Sequence, residues 1–358
     1  MNFSDFALDK TLTDAVKSLG YNNPTPIQQQ AIPAILAKKD IMAGAQTGTG
    51  KTAAFALPIL QLLSENFIEH RPIRALVLTP TRELAQQVYK SFVGYAENTE
   101  LNIVVAYGGV SINPQIAALN KGADVLVATP GRLLDHLING SVALIELECL
   151  VFDEADRMLD LGFKDEIDRI LNRVPLKRQT LLFSATYPDS IAQISRDVQR
   201  NPIEVSVEAT HETSSIEQLF FEVEEPHRVK AVAAMLSHYQ AESAIVFCNT
   251  KIACQEVADE LTALGVSALA LHGDLEQRDR TQVLTRFSNR SVAVLVATDV
   301  ASRGLDIKEV NAVISYQITP DPEVHIHRIG RTGRADAKGL ALTLCTPKEM
   351  HRANAIED

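Results

Sequence analysis

Short apolar runs rich in β-branched residues return along this chain, with helical segments filling the gaps between them. A first series falls at 41–43, 75–78, 103–106, 125–128, 150–152, 180–183 and 203–207. A second falls at 219–223, 244–248, 268–271, 293–297, 312–316 and 340–344. Strands that alternate with helices are joined by crossovers, and crossovers build parallel sheets covered by helices on both faces. The chain is therefore expected to be α/β, with two mostly parallel sheets. Between the series, at 207–217, the pattern lapses into the polar stretch Val-Glu-Ala-Thr-His-Glu-Thr-Ser-Ser-Ile-Glu. It reads as a linker spanning at most ~35 Å, so the joined domains can face each other and still separate. The expected domains are 1–206 and 218–358.

Composition narrows the class. The chain is 46% hydrophobic and 22% charged, the balance of globular domains, and its 358 residues suit two of them. No apolar run approaches the ~20 residues that span a bilayer. The opening Met-Asn-Phe-Ser-Asp-Phe lacks the basic start and apolar core of a secretory signal. Cys149, Cys248, Cys254 and Cys345 are far apart with no Cys-x-x-Cys pair, so buried free thiols in a reducing cytoplasm are expected. A net charge of −11 opposes strong non-specific binding to polyanions. It still permits a nucleic acid gripped by backbone amides and local arginines, such as Arg328, Arg331 and Arg334.

In open parallel sheets ligands bind at the carboxyl ends of strands, and the polar motifs fall there one after another. After 41–43 comes Ala45-Gln46-Thr47-Gly48-Thr49-Gly50-Lys51-Thr52, then an Ala- and Leu-rich helical segment. Closely spaced glycines let backbone N–H groups approach an anion, and the helix dipole points at the same place. Lys51 can reach the outer phosphates of a nucleoside triphosphate, and the Thr52 hydroxyl can ligate Mg²⁺. With Ala45 in first position the motif is a relaxed form, and alone it also fits an ordinary glycine turn. Asp153 and Glu154 follow the run 150–152, where ATPases hold Mg²⁺; Asp153 is the candidate ligand and Glu154 the base for attacking water.

Gln28, in a Pro-punctuated loop before a helix expected at 29–37, carries the donor and acceptor that suit the adenine N6/N7 edge. Tyr21 or Phe3 is the candidate stacking partner; in isolation, Gln28 reads as a helix-start residue. Ser184 and Thr186 are candidate couplers between Asp156 and the facing domain. In His327-Arg-Ile-Gly-Arg-Thr-Gly-Arg334, Arg331 and Arg334 lie three apart, close to one helical turn, so both can face one triphosphate. Asp299 and Asp306 can accept a ribose hydroxyl or pair with Arg303 or Arg334. Arg82, Gly109, Thr129, Arg132, Asn249, Gly273, Arg280 and Thr298 suit phosphate and ribose contacts rather than base reading. Without Trp or an aromatic-rich face, a base-stacking platform is not expected.

Asp153-Glu-Ala-Asp156, the Gln28 loop, Ser184-Ala-Thr186 and 327–334 make the chain resemble the DEAD-box ATP-dependent RNA helicases over nearly its whole length, in order and at family spacing. The resemblance implies two RecA-like domains, ATP with Mg²⁺, and RNA across both domains. It places Tyr21 and Gln28 at the adenine, Gly48, Thr49, Gly50, Lys51 and Thr52 at the phosphates, and Ala45, Gln46 and Thr47 with them in the ATP site. Gly304 and Asp306 also meet the nucleotide, Asp306 at its ribose. Thr52 and Asp153 hold the metal, Lys51 and Glu154 take part in hydrolysis, and Arg331 and Arg334 are arginine fingers. Asp156, Ser184, Thr186 and His327 couple the domains. The eight strand-end residues above become RNA contacts.

Such enzymes open short duplexes locally by bending one strand, without long-range travel. Segments 271–280, 322–328 and 351–354 look closest to a bacterial branch that works as a monomer in large-subunit assembly, on 23S rRNA in pre-ribosomal particles. That branch uses an additional C-terminal RNA-binding domain. No such domain is found in this chain, which stops in an uncapped helical stretch as a truncated one would. Two other classes stay open: a clamp that binds ATP without turnover, opposed by the intact Glu154 and Arg331, and a P-loop kinase, which needs no second sheet domain.

Overall fold

The computed structural model describes residues 2–44, 49–184, 189–206, 216–302, 310–319, 321–333 and 339–357. The chain divides into two compact units, Met1–Ala209 and Thr210–Asp358. In the first, the strands are β1 (Ile41–Gly44), β2 (Ala75–Leu78), β3 (Ile103–Ala106), β4 (Val125–Ala128), β5 (Cys149–Asp153), β6 (Gln179–Ser184) and β7 (Ile203–Ser206). They lie in the order β3-β4-β2-β5-β6-β1-β7, every neighbouring pair parallel. The helices are α1 (Lys10–Ser18), α2 (Pro26–Leu36), α3 (Lys51–Glu65), α4 (Arg82–Tyr95), α5 (Asn113–Leu119), α6 (Pro130–Ile138), α7 (Ala155–Asp160), α8 (Lys164–Leu171) and α9 (Asp189–Val198).

The second unit holds β8 (Ile216–Glu222), β9 (Ala244–Cys248), β10 (Ala268–Leu271), β11 (Val294–Thr298), β12 (Ala312–Ser315) and β13 (Gly339–Cys345). Their order is β10-β11-β9-β12-β13-β8, again all parallel. Around them run α10 (Arg228–His238), α11 (Lys251–Ala263), α12 (Gln277–Ser288), α13 (Asp299–Ser302), α14 (Pro322–Ile329) and α15 (Met350–Glu357). The two-sheet α/β architecture expected from the alternation is thus the one observed.

Strands buried on both faces are apolar throughout, and β2 and β4 are buried at every position. One face of the first sheet packs Leu12, Ile32, Phe55 and Phe92; the other packs Leu133, Met158 and Ile170. Phe55 of α3 is wedged between Phe183 of β6, at 5.2 Å, and Phe92 of α4, at 6.1 Å. A buried Phe side chain contributes roughly 1.5–3 kcal/mol, and this one seats the helix that Gly50 caps. At the far end of α3, buried Arg74 donates to the carbonyls of Leu63 and Asn66 at 3.2 and 2.6 Å, satisfying last-turn acceptors.

Beyond one-residue shifts at strand ends, two boundaries differ from expectation. β8 begins at Ile216, inside the stretch read as linker, because Ile216 pairs with Gly339 and is buried against Ile329 and Ala341. A lone isoleucine between Ser and Glu carries no alternation, so the sequence hides that pairing; residues 207–215 lie outside the described ones. α2 begins at Pro26 rather than after Gln28, proline being at home in a first helical turn. All four cysteines are free and buried, and burial pushes the Cys254 and Cys345 thiols up to about 11. Among the described residues no helix is long and apolar enough to cross a membrane.

Candidate nucleotide site and nucleic-acid interface

β5, β6 and β1 are neighbours, and their carboxyl ends bring Asp153, Ser184 and Gly44 side by side, with Gly44 in register with Ser184. Beyond Gly44, residues Ala45, Gln46, Thr47 and Gly48 lie outside the described ones; α3 begins at Lys51 with Gly50 as its N-cap at φ +89°. A Cβ on Gly50 would stand 2.5 Å from Gln28 Nε2. Gln28 explains the closeness: its Nε2 donates to the Gly50 carbonyl at 3.0 Å, and its Oε1 accepts the Thr25 N–H at 2.9 Å. The expected adenine reader is therefore buried in the first turn of α2 and clipped to the phosphate turn. Of its two stacking candidates, Phe3 is buried against Phe6 in the core and drops out. Tyr21 is exposed and leans on Tyr95, ring centroids 6.4 Å apart.

Lys51 Nζ lies 3.8 Å from Asp153 Oδ1, both buried, and neither atom has a hydrogen-bond partner. Burial pushes the Asp153 carboxyl up to about 6; the Lys51 charge opposes that, and the Glu154 and Asp156 carboxylates add to it. A desolvated ammonium and carboxylate too far apart to bond each other form a gap that phosphate oxygens and a hard cation fill well. Thr52, next in α3, is half-buried beside it. The oxygen donors Asp153 and Thr52 fit Mg²⁺, which keeps several waters and takes phosphates as ligands. Among the described residues no group of three or more His, Cys, Asp or Glu could hold an ion by itself.

Glu154 has φ +55° and ψ +56°, a left-handed conformation that costs a residue with a Cβ of order 1–3 kcal/mol. It stops β5 abruptly and caps α7. Its Oε2 lies 3.3 Å from Arg157 Nη1, with both side chains buried. Arg157 was absent from the sequence candidates, although the i,i+3 spacing was there to see. Asp156 Oδ1 accepts the Arg157 N–H at 2.9 Å, and Ser184 is fully buried at the end of β6. Thr186 lies outside the described residues.

The neighbouring strands β2, β4 and β3 carry the second set. Arg82 opens α4 and donates through Nη1 to the Gly108 carbonyl at 3.4 Å. Thr129 caps α6, and Arg132, one turn on, donates through Nη2 to the Val110 carbonyl at 2.8 Å. Between them Gly109 has φ +78°, and a Cβ there would stand 2.2 Å from Arg82 Nη1. Arg132 Nε is 3.5 Å from Asp135, and the buried Nη1 has no hydrogen-bond partner among the described residues.

In the second unit, Thr298 Oγ1 accepts the Ala301 N–H at 3.3 Å and Arg280 donates to the Ala301 carbonyl at 2.8 Å, so these two candidates meet on α13. Past β10, Gly273 has open space where a Cβ would project. The Asn249 amide is engaged by protein, donating to the Ile318 carbonyl at 3.2 Å and accepting from Arg328 at 2.7 Å. Arg328 corrects the view of it as a surface arginine: it is 1% exposed and grips Asp299 in bidentate fashion at 2.7 and 2.8 Å. It also donates to the Gln317 carbonyl at 2.7 Å and lies 5.3 Å from the Phe247 ring centre. A guanidinium is buried only where its donors are met, and Asp299 supplies two of those acceptors; Arg303, the other expected partner in the same motif, lies outside the described residues. α14 carries His327 in its last turn and ends at Ile329, leaving Arg331 in the turn beyond. Arg334, Gly304 and Asp306 lie outside the described residues.

Two parallel α/β units, the first with a glycine-capped helix beside an acidic strand end, suit a helicase-type nucleoside triphosphatase. Residues 25–194 match the DEAD/DEAH box helicase family and residues 227–336 the helicase conserved C-terminal domain. The chain is 50% identical over 346 residues to the ATP-dependent RNA helicase DbpA of Escherichia coli, covering 96% of this chain and 75% of that one. It is 44% identical to the DEAD-box ATP-dependent RNA helicase CshA of Bacillus licheniformis, covering 100% of this chain and 73% of that one. Among solved structures it is similar to Saccharomyces cerevisiae Dbp5 bound to RNA and ADP BeF3, with TM-score 0.87 and 30% identity over 99% of this chain and 92% of that one. A DEAD box protein from Methanococcus jannaschii gives TM-score 0.58 and 39% identity over 100% and 96%. The chain belongs to the DEAD-box ATP-dependent RNA helicases, and its two sheets are RecA-like domains. It is an RNA-dependent ATPase.

Proposed function

We propose that this helicase couples ATP hydrolysis with Mg²⁺ to local, non-processive opening of short RNA duplexes. The observation that carries the reading is the adjacency of β2 and β5, parallel neighbours in one sheet. The end of β5 carries Asp153, which faces Lys51 across the gap, and then Glu154; the residues after β2 and its neighbours include Arg82, Gly109, Thr129 and Arg132. This pairing supports a reading in which one sheet carries both ligands, nucleotide at one strand end and RNA at the next.

In this reading Lys51 and residues 45–50 hold phosphates, Thr52 and Asp153 hold Mg²⁺, and Gln28 and Tyr21 meet the adenine. Glu154 orients and deprotonates the attacking water. The cation supplies charge to the transferring phosphoryl group when bound. Gly304 and Asp306 meet the nucleotide from the second unit, and Arg331 and Arg334 reach the phosphates when RNA and ATP draw the units together, so hydrolysis waits on RNA. Asp156, Ser184, Thr186 and His327 transmit that closure. Asn249, Gly273, Arg280 and Thr298 extend the RNA track. Likeness to a bacterial branch acting on 23S rRNA supports large-subunit assembly in the cytoplasm as the setting, with pre-ribosomal particles as partners and the monomer as the working form.

The test is steady-state ATP hydrolysis with and without a duplex RNA carrying a single-stranded tail, alongside strand release from short and long duplexes. Strong stimulation with release confined to short duplexes is expected. ATP binding without stimulation would instead identify a clamp.

A further inference from the structure

The loop that follows β3 is held by its carbonyls. Arg82 takes that of Gly108 and Arg132 that of Val110. A third hold comes from Gln115 in α5, whose Nε2 donates to the Tyr107 carbonyl at 3.0 Å. A carbonyl only accepts, so this bond fixes the amide's orientation and turns Oε1 the other way. There it meets Nε2 of His136 at 3.2 Å, while the other ring nitrogen, Nδ1, lies 2.7 Å from Ser141 Oγ. The amide therefore dictates the tautomer: His136 carries its proton on Nε2 and accepts from Ser141. His136 is fully buried and Gln115 nearly so. Burial, then the Arg132 charge, holds His136 below its ordinary range, consistent with a neutral ring.

Arg132 and His136 are four apart on α6, hence on one stripe of the helix. The stripe grips the loop twice, directly through Arg132 and through Gln115 by way of His136. We infer that His136 and Gln115 are positioning residues for RNA binding, setting the loop 107–110 so that the Gly109 backbone and the Arg82 and Arg132 guanidiniums meet the RNA backbone together. The inference rests on the RNA interface proposed above.

The test measures the concentration of tailed duplex RNA that half-maximally stimulates ATP hydrolysis. Losing one hydrogen bond of this kind is expected to raise it about 3- to 10-fold in Gln115→Leu and in His136→Leu. KM for ATP and the rate at saturating RNA should stay within about twofold of the parent. Because the two act in series, the double variant should be no worse than the poorer single one. His136→Gln, which can still donate to Gln115 Oε1, should stay near the parent value. Gln115→Glu keeps the acceptor for His136 but loses the donor to Tyr107, and should behave like Gln115→Leu, which secures the test if His136→Leu does not fold. An unmoved RNA half-point in folded Gln115→Leu and Gln115→Glu overturns the inference, as do equal rises in RNA half-point and ATP KM. Arg132→Ala separates the two levels. If it moves the half-point while the Gln115 variants do not, the interface stands and the positioning role falls; if neither moves it, the interface reading itself fails.

Discussion

Lys51 Nζ and Asp153 Oδ1 face each other across 3.8 Å of buried space with no hydrogen bond to either atom. In a core this would be a poor arrangement, since a desolvated charge needs close partners. At the end of β5 it suits the reading proposed above, in which a phosphate and its metal meet the two charges. Lys51→Met and Asp153→Asn are each expected to lower kcat/KM for ATP by roughly 10²–10³-fold, the scale for loss of one preorganised charge contact. Steady-state kinetics on folded variants decide it, and near-parental turnover in either would remove that residue from the site.

Glu154 is held in a left-handed conformation and against Arg157 at 3.3 Å, so its carboxylate is aimed before any ligand arrives. Glu154→Gln keeps the shape and removes the base proposed above. ATP and RNA affinities should persist while turnover falls roughly 10²–10⁴-fold. Filter binding and phosphate release on the same preparation separate the two. Undiminished turnover would mean that another group activates the water.

Arg331 is the residue of the second unit assigned to transition-state charge. Arg331→Ala should leave ATP affinity nearly intact and lower the hydrolysis rate by roughly 10³-fold or more, as loss of an arginine finger does. Single-turnover hydrolysis at saturating RNA is the measurement. A parental rate constant would count against the assignment.

Strand ends were legible in this chain because each apolar run stops at a polar motif, and a parallel sheet places all such stops on one edge. What the sequence hid was the side chains' own partners. Arg328 sits in a basic motif that reads as surface, yet Asp299, 29 residues upstream, buries it. The Gln28 amide looks free for a base until the fold brings Gly50 against it. Arg157 is legible in principle, but a pair three apart matters only once Glu154 is known to be buried. Contacts between distant strand ends leave no local period to read.

Gly108 and Gly109 are adjacent and make opposite demands. A Cβ on Gly108 meets nothing within 4 Å, whereas on Gly109, at φ +78°, it would stand 2.2 Å from Arg82 Nη1. Gly109→Ala should displace the Arg82 guanidinium and raise the half-stimulating RNA concentration by roughly tenfold, the equivalent of about 1.4 kcal/mol. Gly108→Ala should stay within about twofold. Titrating both variants with the same RNA supplies the comparison, and equal effects would show that Arg82 has room to move.

His325 gives the second unit a pH dependence of known sign. It is buried on α14, its Nε2 lies 3.1 Å from Gln218 Oε1, and its ring stacks on Phe220 at 6.1 Å. Burial, reinforced by the Arg328 charge, pushes it down from the usual 6.5 to about 4. The folded chain thus keeps the ring neutral while the unfolded chain takes up a proton below about 6.5, so the stability it contributes is complete above that pH and is lost as pH falls toward 4. The urea midpoint should therefore drop between pH 7 and pH 5. In His325→Gln, which can still donate to Gln218, the drop should be shallower. Parallel pH profiles for the two proteins would show that His325 titrates alike in both states and would remove it as the source of acid sensitivity.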